Sequence, residues 1–158
     1  MNPTPQTSIE NTLQTFTVNS IQEILDRGGD YDWPVDQERT KKCQYLVCCS
    51  SQGSNRGDGF LVGKISGIQF TYIDKNGKNR YLINISEYAS IESPRLWPGH
   101  RNPIHYTSLE NLNIDLASLK FEKVLKPVSS SFTIAQAKAG LAKHYGVSEA
   151  SIEITIKG

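Results

Sequence analysis

Apolar and β-branched residues cluster in short runs through the middle of the chain, a pattern that is typical of strands. The runs over residues 43–50, 59–66 and 68–73 are bounded by Gly, Ser or Asn, and Gly67 predicts a bulge between the last two. An Asn-Gly pair then supplies the positive φ angles of a tight hairpin turn. The run over residues 80–86 alternates apolar and polar positions, so it predicts the partner strand of that hairpin.

Helical patterns are shorter and flank these runs. Residues 20–23, Ser-Ile-Gln-Glu, form a capping box and predict a short helix that stops at Gly28-Gly29. A second short helix is expected to begin at residues 107–110. Near the end of the chain, residues 133–136 form another capping box before an apolar helical face, and residues 152–156 alternate strictly, as a half-buried strand does.

This order of elements predicts an α+β protein with a mainly antiparallel, strongly curved sheet or small barrel, short flanking helices and a C-terminal helix-strand module. Residues 1–18 are polar and aperiodic and are interpreted as a disordered tail. Residues 19–126 form the β-rich core domain, and the serine-rich residues 127–132 form a linker. The module of residues 133–158 is too small to bury a core alone, so we expect it to pack on the core or on a partner.

Composition narrows the classes of partner. With 17 basic and 16 acidic residues the net charge is +1, so bulk charge supplies no strong attraction to nucleic acid or to an anionic membrane. No apolar run approaches the length of a membrane span. The first nineteen residues lack the basic start and apolar core of a secretory signal, and we therefore expect a cytoplasmic protein that does not contact a membrane.

Three cysteines raise the question of thiol chemistry. On an extended strand Cys43 and Cys49 should share one face and Cys48 should point to the other, so at least one of them faces a core as an inert apolar group. A nucleophile would be Cys48 or Cys49, activated by His100 or His105. The Cys-x4-Cys-Cys spacing does not suit zinc, so no metal and no cofactor are expected.

The tripeptide Arg56-Gly57-Asp58 matches an adhesion motif by its letters alone. It lies between two predicted strands, among Asn and Gly residues that build turns. We interpret it as a turn whose charged side chains are solvated.

The segment of residues 93–106 is the main candidate site, because it concentrates cationic and aromatic groups between prolines that stiffen it. Arg can clamp a phosphate with two hydrogen bonds, and an aromatic ring can stack on a base. The simpler alternative is an ordered covering loop with its arginines in water. The predicted ligand-binding residues in this segment are Arg95, Trp97, His100, Arg101, His105 and Tyr106.

The runs YLVCCSS, GFLVGKISGI and RYLINIS, followed by a closing loop and a Leu-rich short helix, suggest a known family. In their order they resemble a PUA-like small β-barrel domain of the EVE or ASCH kind, over roughly residues 43–122. This resemblance implies a pocket between strands and loops that binds a nucleotide base, often a modified one. The matching positions would be Trp33, Trp97, Arg95 and Arg101. The C-terminal module has no counterpart in that family.

The expected function is therefore non-catalytic recognition of a nucleotide or nucleic-acid feature through residues 93–106. A first alternative is a protein–protein interaction, inhibitory or adaptor role in which the C-terminal module binds a partner or builds a homodimer by pairing edge strands. A second alternative is a cysteine-dependent enzyme.

Overall fold

The computed structural model describes residues 10–125 and 134–155, which contain seven strands and three α-helices. The strands are β1 (Thr12–Thr17), β2 (Gly29–Trp33), β3 (Tyr45–Ser50), β4 (Gly59–Ile73), β5 (Asn79–Ser93), β6 (Ile104–Thr107) and β7 (Glu122–Lys123). The helices are α1 (Ile21–Arg27), α2 (Gln37–Thr40) and α3 (Ile134–Tyr145). The chain divides into two compact units, Met1–Leu125 and Lys126–Gly158.

All seven strands belong to one mixed sheet. Its order is β2-β5-β4-β3-β1-β6, and β7 pairs with β5 beyond the stretch of β5 that β2 occupies. Among the described strands β1 and β3 run parallel, whereas the other pairs are antiparallel. The sheet is open, because β2 and β6 lie at its opposite ends, so it is not the closed barrel that was one of the two predicted forms.

Strand β1 corrects the prediction of a disordered tail. Residues 12–17 lie between β3 and β6 in the sheet, and five of these six residues are buried. The sequence TLQTFT did not reveal this strand because it is mostly polar. Its Thr and Gln side chains find hydrogen-bond partners inside the protein, as described below. Residues 1–9 of the predicted tail lie outside the described residues.

The other strands are longer or more numerous than predicted. Residues 29–33 form β2, where an irregular link was expected, and β5 continues to Ser93 through part of a segment that has no clear period. The predicted bulge at Gly67 is confirmed, since the pairing of β4 with β5 shifts register between Ile65 and Gly67.

Helix α1 forms as its sequence predicts. The Ser20 side chain accepts a hydrogen bond from the Glu23 backbone N–H, and the helix ends at Gly28, which has a left-handed φ of 79°. The short helix predicted from residue 107 is wrong. Thr107 ends β6, and the Ser108 hydroxyl accepts from the Asn111 N–H in a single turn that does not continue.

In the C-terminal unit, α3 ends at Tyr145 and is followed by Gly146 with a φ of 67°, as predicted. The strand predicted over residues 152–156 is not formed at residues 152–155, and residue 156 lies outside the described part of the chain. The predicted linker at 127–132 and the start of the second capping box also lie outside it.

A buried carboxylate joins the two halves of the sheet. Asp30 on β2 is fully buried and accepts hydrogen bonds from Thr15 Oγ1 (2.8 Å) and Thr17 Oγ1 (3.1 Å) on β1, and from Asn19 Nδ2 (2.8 Å). In a flat sheet, four steps of about 4.8 Å would place β2 and β1 roughly 19 Å apart. The sheet must therefore bend enough to bring β1 and β2 into contact, with the main core between them, including Leu13, Leu46, Leu61 and Ile83.

Candidate functional site

The segment of residues 93–106 is anchored to the turn that carries the Arg-Gly-Asp tripeptide. The Trp97 N–H donates to the Gly57 carbonyl (2.9 Å), and the Arg95 N–H donates to Asp58 Oδ1 (3.0 Å). Arg95 has a φ of 52°, a left-handed value that residues other than glycine adopt rarely and that here coincides with the bond to Asp58. The turn prediction for residues 56–58 is confirmed, but Asp58 also supports the candidate site and is not merely solvated.

A cavity of about 520 Å³ lies beside this segment, and we call it the Arg95 cavity. Its walls come from β1, the end of β5, β6 and the turn after β6. None of its lining residues is acidic, so its cationic groups meet no carboxylate within it. The lining residues are Gln14, Ser93, Pro94, Arg95, Leu96, Pro98, His100, His105, Thr107, Asn111, Leu112 and Asn113.

Two histidines stack on each other in the wall of this cavity. The ring centroids of His100 and His105 are 3.9 Å apart, and the ring planes differ by 26°. Partial burial, and then the nearby His100, hold the pKa of His105 below its ordinary value. Two positive charges at this distance would repel each other. His105 is therefore held in its neutral form, and it could accept a proton when an anion approaches.

Two aromatic rings pack in a row behind the histidine pair. Trp97 is buried, meets His100 edge-on at 5.4 Å between centroids, and stacks on Phe16 of β1 at 5.0 Å with ring planes 3° apart. The Arg56 guanidinium covers the Phe16 ring at 4.8 Å. Trp97 therefore acts as a packed base for the site, because Phe16 already occupies a face on which a ligand would stack.

Gln14 is a site residue that the sequence interpretation missed. It is fully buried, and its Nε2 donates to the Leu96 carbonyl (3.3 Å) and to Cys49 Sγ (3.4 Å). Its Oε1 is buried without a hydrogen-bond partner among the described residues. The only signal for it was the alternation within TLQTFT, which was too short and too polar to be read as a strand.

Three predicted site residues lie elsewhere. Arg101 is exposed and is not part of the lining of the Arg95 cavity. The Tyr106 hydroxyl shares a hydrogen bond with Thr40 Oγ1 (2.8 Å) on the opposite face of β6, and Trp33 is buried in the main core. Neighbouring residues on β6 point to opposite faces, which separates Tyr106 from His105. The structure thus brings Arg95, His100 and His105 together, with Trp97 beneath them.

All three cysteines are buried. Cys43 packs in the same core cluster as Cys48, so the prediction that it shares a face with Cys49 is wrong. The reason is that Cys43 precedes β3, and strand alternation does not extend to it. Burial raises the pKa of Cys43 and of Cys49 to about 11, and burial together with the Asp30 charge raises that of Cys48 well above its ordinary value. These thiols are therefore protonated at neutral pH.

We expect iodoacetamide at pH 7.5 to leave all three cysteines of the native protein unmodified over an hour, because a buried protonated thiol is a poor nucleophile. The same treatment in urea should modify three cysteines, and intact-mass spectrometry measures both results. Rapid modification of Cys48 or Cys49 in the native protein would instead support the alternative that the protein is a cysteine-dependent enzyme.

A second cavity, of about 630 Å³, is larger but chemically different. Both cavities are lined by Ser93 and Pro94, and this second cavity lies on the side of these residues that faces α1. Its charged lining residues are Asp58 and Glu92. Carboxylates repel phosphate, so this cavity does not suit the predicted ligand. It contains none of the predicted site residues.

Several other features bear on the alternatives. Within the described residues, His, Cys, Asp and Glu side chains form no group of three that could hold a metal ion. No helix in the same ranges combines the length and the apolar character that crossing a membrane requires. In the C-terminal unit, Leu141 and Tyr145 lie one helical turn apart on α3 with 40% and 67% of their surface exposed. The interaction role of this module stays a prediction.

Comparison with known proteins adds no relative. No family model matches the chain, and neither the curated proteins nor the solved structures yield a match. The PUA-like resemblance therefore stays a prediction.

Proposed function

We propose that this protein is a non-catalytic binding protein that recognises a nucleotide, or a nucleotide within a nucleic acid, in the Arg95 cavity. The observation that carries the proposal is the meeting of Arg95, His100 and His105 in one cavity that has no acidic lining residue. A guanidinium binds phosphate oxygens through two hydrogen bonds, and imidazole rings can donate to an anion or stack on a base.

The cavity suits a small ligand in size and in polarity. At about 520 Å³ it falls within the ordinary range for small-molecule sites. Besides the cationic groups, the hydroxyls of Ser93 and Thr107 and the amides of Asn113 and Gln14 line it. The unpartnered Gln14 Oε1 favours a ligand that brings an N–H donor, as the exocyclic amine of a base does.

The bend of the sheet supports the PUA-like resemblance as a proposal. The resemblance implies a small barrel with a ligand pocket between strands and loops; the sheet of this chain is open, but the Arg95 cavity does lie between its strands and a loop. Of the four positions that the resemblance names, Arg95 lines the cavity and Trp97 packs against His100, whereas Trp33 and Arg101 do not line the cavity.

Arg95→Ala should weaken nucleotide binding by about 10- to 100-fold, because it removes the charged hydrogen-bond donor of the cavity. Its backbone N–H still bonds to Asp58, so the melting temperature should change little. Isothermal titration with the four nucleoside 5′-monophosphates and a short single-stranded RNA measures the binding.

Arg101→Ala is the matched control, because Arg101 belongs to the same segment and carries the same charge but does not line the cavity. Equal losses in the two variants would mean that binding depends on general charge and not on this cavity. If the unaltered protein binds none of these ligands, the proposed function is refuted.

A further inference from the structure

The charge balance of the Arg95 cavity restricts the ligand. Arg95 contributes one permanent positive charge, and the cavity lining contains no carboxylate. The lining also contains the imidazole rings of His100 and His105, which stack with centroids 3.9 Å apart. A ligand with one negative charge is balanced by Arg95 alone. A ligand with two negative charges needs one more proton on the protein.

Few charged groups surround His105, so the charge of a bound ligand should have a strong effect on its protonation. Besides His100, the groups that influence His105 are Glu10 and Arg39, which raise and lower its pKa respectively. Glu10 and Arg39 form an exposed ion pair with each other at 2.8 Å, so their effects largely oppose. Among the described residues, no unpaired carboxylate therefore holds a proton on His105 before the ligand arrives.

We propose that the Arg95 cavity binds a terminal phosphate monoester and that binding places one proton on His105, the ring of which stacks on His100. This inference rests on the proposed function and names the chemical group that the site recognises. A monoester carries close to two negative charges at neutral pH, since its second pKa is about 6. A phosphodiester in an RNA backbone carries one, so the cavity distinguishes a free nucleotide from an internal nucleotide of a chain.

The proton makes the affinity depend on pH. Because partial burial and the nearby His100 keep the pKa of His105 below its ordinary value, the free protein holds the His105 ring neutral at pH 7.5. Affinity for a monoester should rise as the pH falls from 8 towards 6.5, by up to tenfold per pH unit for one proton. Below about pH 6 the phosphate itself becomes protonated and the gain should end.

The experiment is isothermal titration at pH 7.5 in two buffers with different ionisation enthalpies, which counts the protons taken up on binding. The probes are adenosine 5′-monophosphate, the cyclic diester 3′,5′-cyclic adenosine monophosphate, adenosine and inorganic phosphate. We expect uptake of about half to one proton with the monoester, and at least tenfold weaker binding of the diester and of adenosine. Uptake with inorganic phosphate should be smaller, because part of it is already H2PO4− at this pH.

His105→Gln should bind the monoester with no proton uptake and with an affinity that no longer changes between pH 8 and 6.5. His144→Gln is the control, since His144 is the third histidine of the chain and lies in the C-terminal unit. Melting temperatures of both variants verify that they fold.

Three results distinguish failure of the inference from failure of the proposed function. Equal binding of monoester and diester without proton uptake would refute the inference and leave nucleotide recognition intact. Binding of inorganic phosphate with proton uptake, but of no nucleotide, would support the phosphate site and refute the proposed function. Failure of every probe to bind would refute both.

Discussion

Asp30→Ala should lower the free energy of unfolding by about 3 kcal/mol or more. The change leaves Thr15, Thr17 and Asn19 with buried hydrogen-bond donors that have lost their acceptor. It also removes the contact through which β2 holds β1 across the bend of the sheet. Urea unfolding followed by the fluorescence of Trp33 and Trp97, both buried and the only tryptophans of the chain, measures the loss. Asp26→Asn on the surface of α1 should have almost no effect.

The pH dependence at Asp30 tests the physical cause. Burial raises the pKa of Asp30, against the opposing hydrogen bonds from Asn19, Thr15 and Thr17, so the folded state binds its proton more tightly than the unfolded state does. The stability that this proton contributes is present below the unfolded pKa of about 3.9 and is lost as the pH rises through the folded value.

Asp30→Asn carries no such proton and serves as the reference. The unfolding free energy of the native protein, minus that of Asp30→Asn, should therefore decrease as the pH rises from about 4 to 7. An increase over the same range would show that the three hydrogen bonds outweigh burial and lower the pKa instead.

Gly29→Ala should destabilise the protein by more than about 3 kcal/mol or prevent folding. A Cβ atom on Gly29 would lie 1.9 Å from the Ile83 carbonyl oxygen and 2.9 Å from the Asn84 Cα. Both are backbone atoms of β5, so no side-chain rotation relieves the overlap, and β2 would have to separate from β5. The loss should appear as a lower urea midpoint, or as insoluble protein on expression.

Gly67→Ala is the matched control in the same sheet. A Cβ at Gly67 would meet only the Asn84 side-chain nitrogen, at 3.8 Å, which is an ordinary contact. We expect a change below about 1 kcal/mol for this variant. Similar losses for the two substitutions would mean that strand glycines matter here for backbone freedom and not for the close approach of β2 to β5.

The elements that could be predicted from sequence are those with a strong local signal. Strands β3, β4 and β5 follow apolar runs, and α1 lies between a Ser20 cap and a Gly28 stop. β1 and β2 could not be recognised, because several of their buried positions are polar, including Thr15, Gln14 and Asp30. Most of these polar groups are tolerated inside because they find partners elsewhere in the fold, as Thr15 does with Asp30.

Only part of the candidate site could be predicted, because its residues come both from one segment and from distant parts of the chain. Arg95, His100 and His105 lie within ten residues of one another, so their clustering was visible in the sequence. The contributions of Gln14, Phe16 and Asp58 were not, since each comes from a segment far from residues 93–106. Tyr106 and His105 are adjacent in the sequence, so both were assigned to the site. Adjacent strand residues point to opposite sides of the sheet, and only the orientation of β6 decides that His105 points into the cavity.

The amino-acid sequence by itself determined where extended runs form, where α1 starts and stops, and that residues 93–106 concentrate cationic and aromatic groups. The tertiary structure alone decided that residues 12–17 are a central strand, that Asp30 joins β1 to β2, and that three of the predicted ligand-binding side chains share one cavity. Local propensity acts over a few residues, whereas burial of a polar group depends on partners that only the folded chain brings within hydrogen-bond distance.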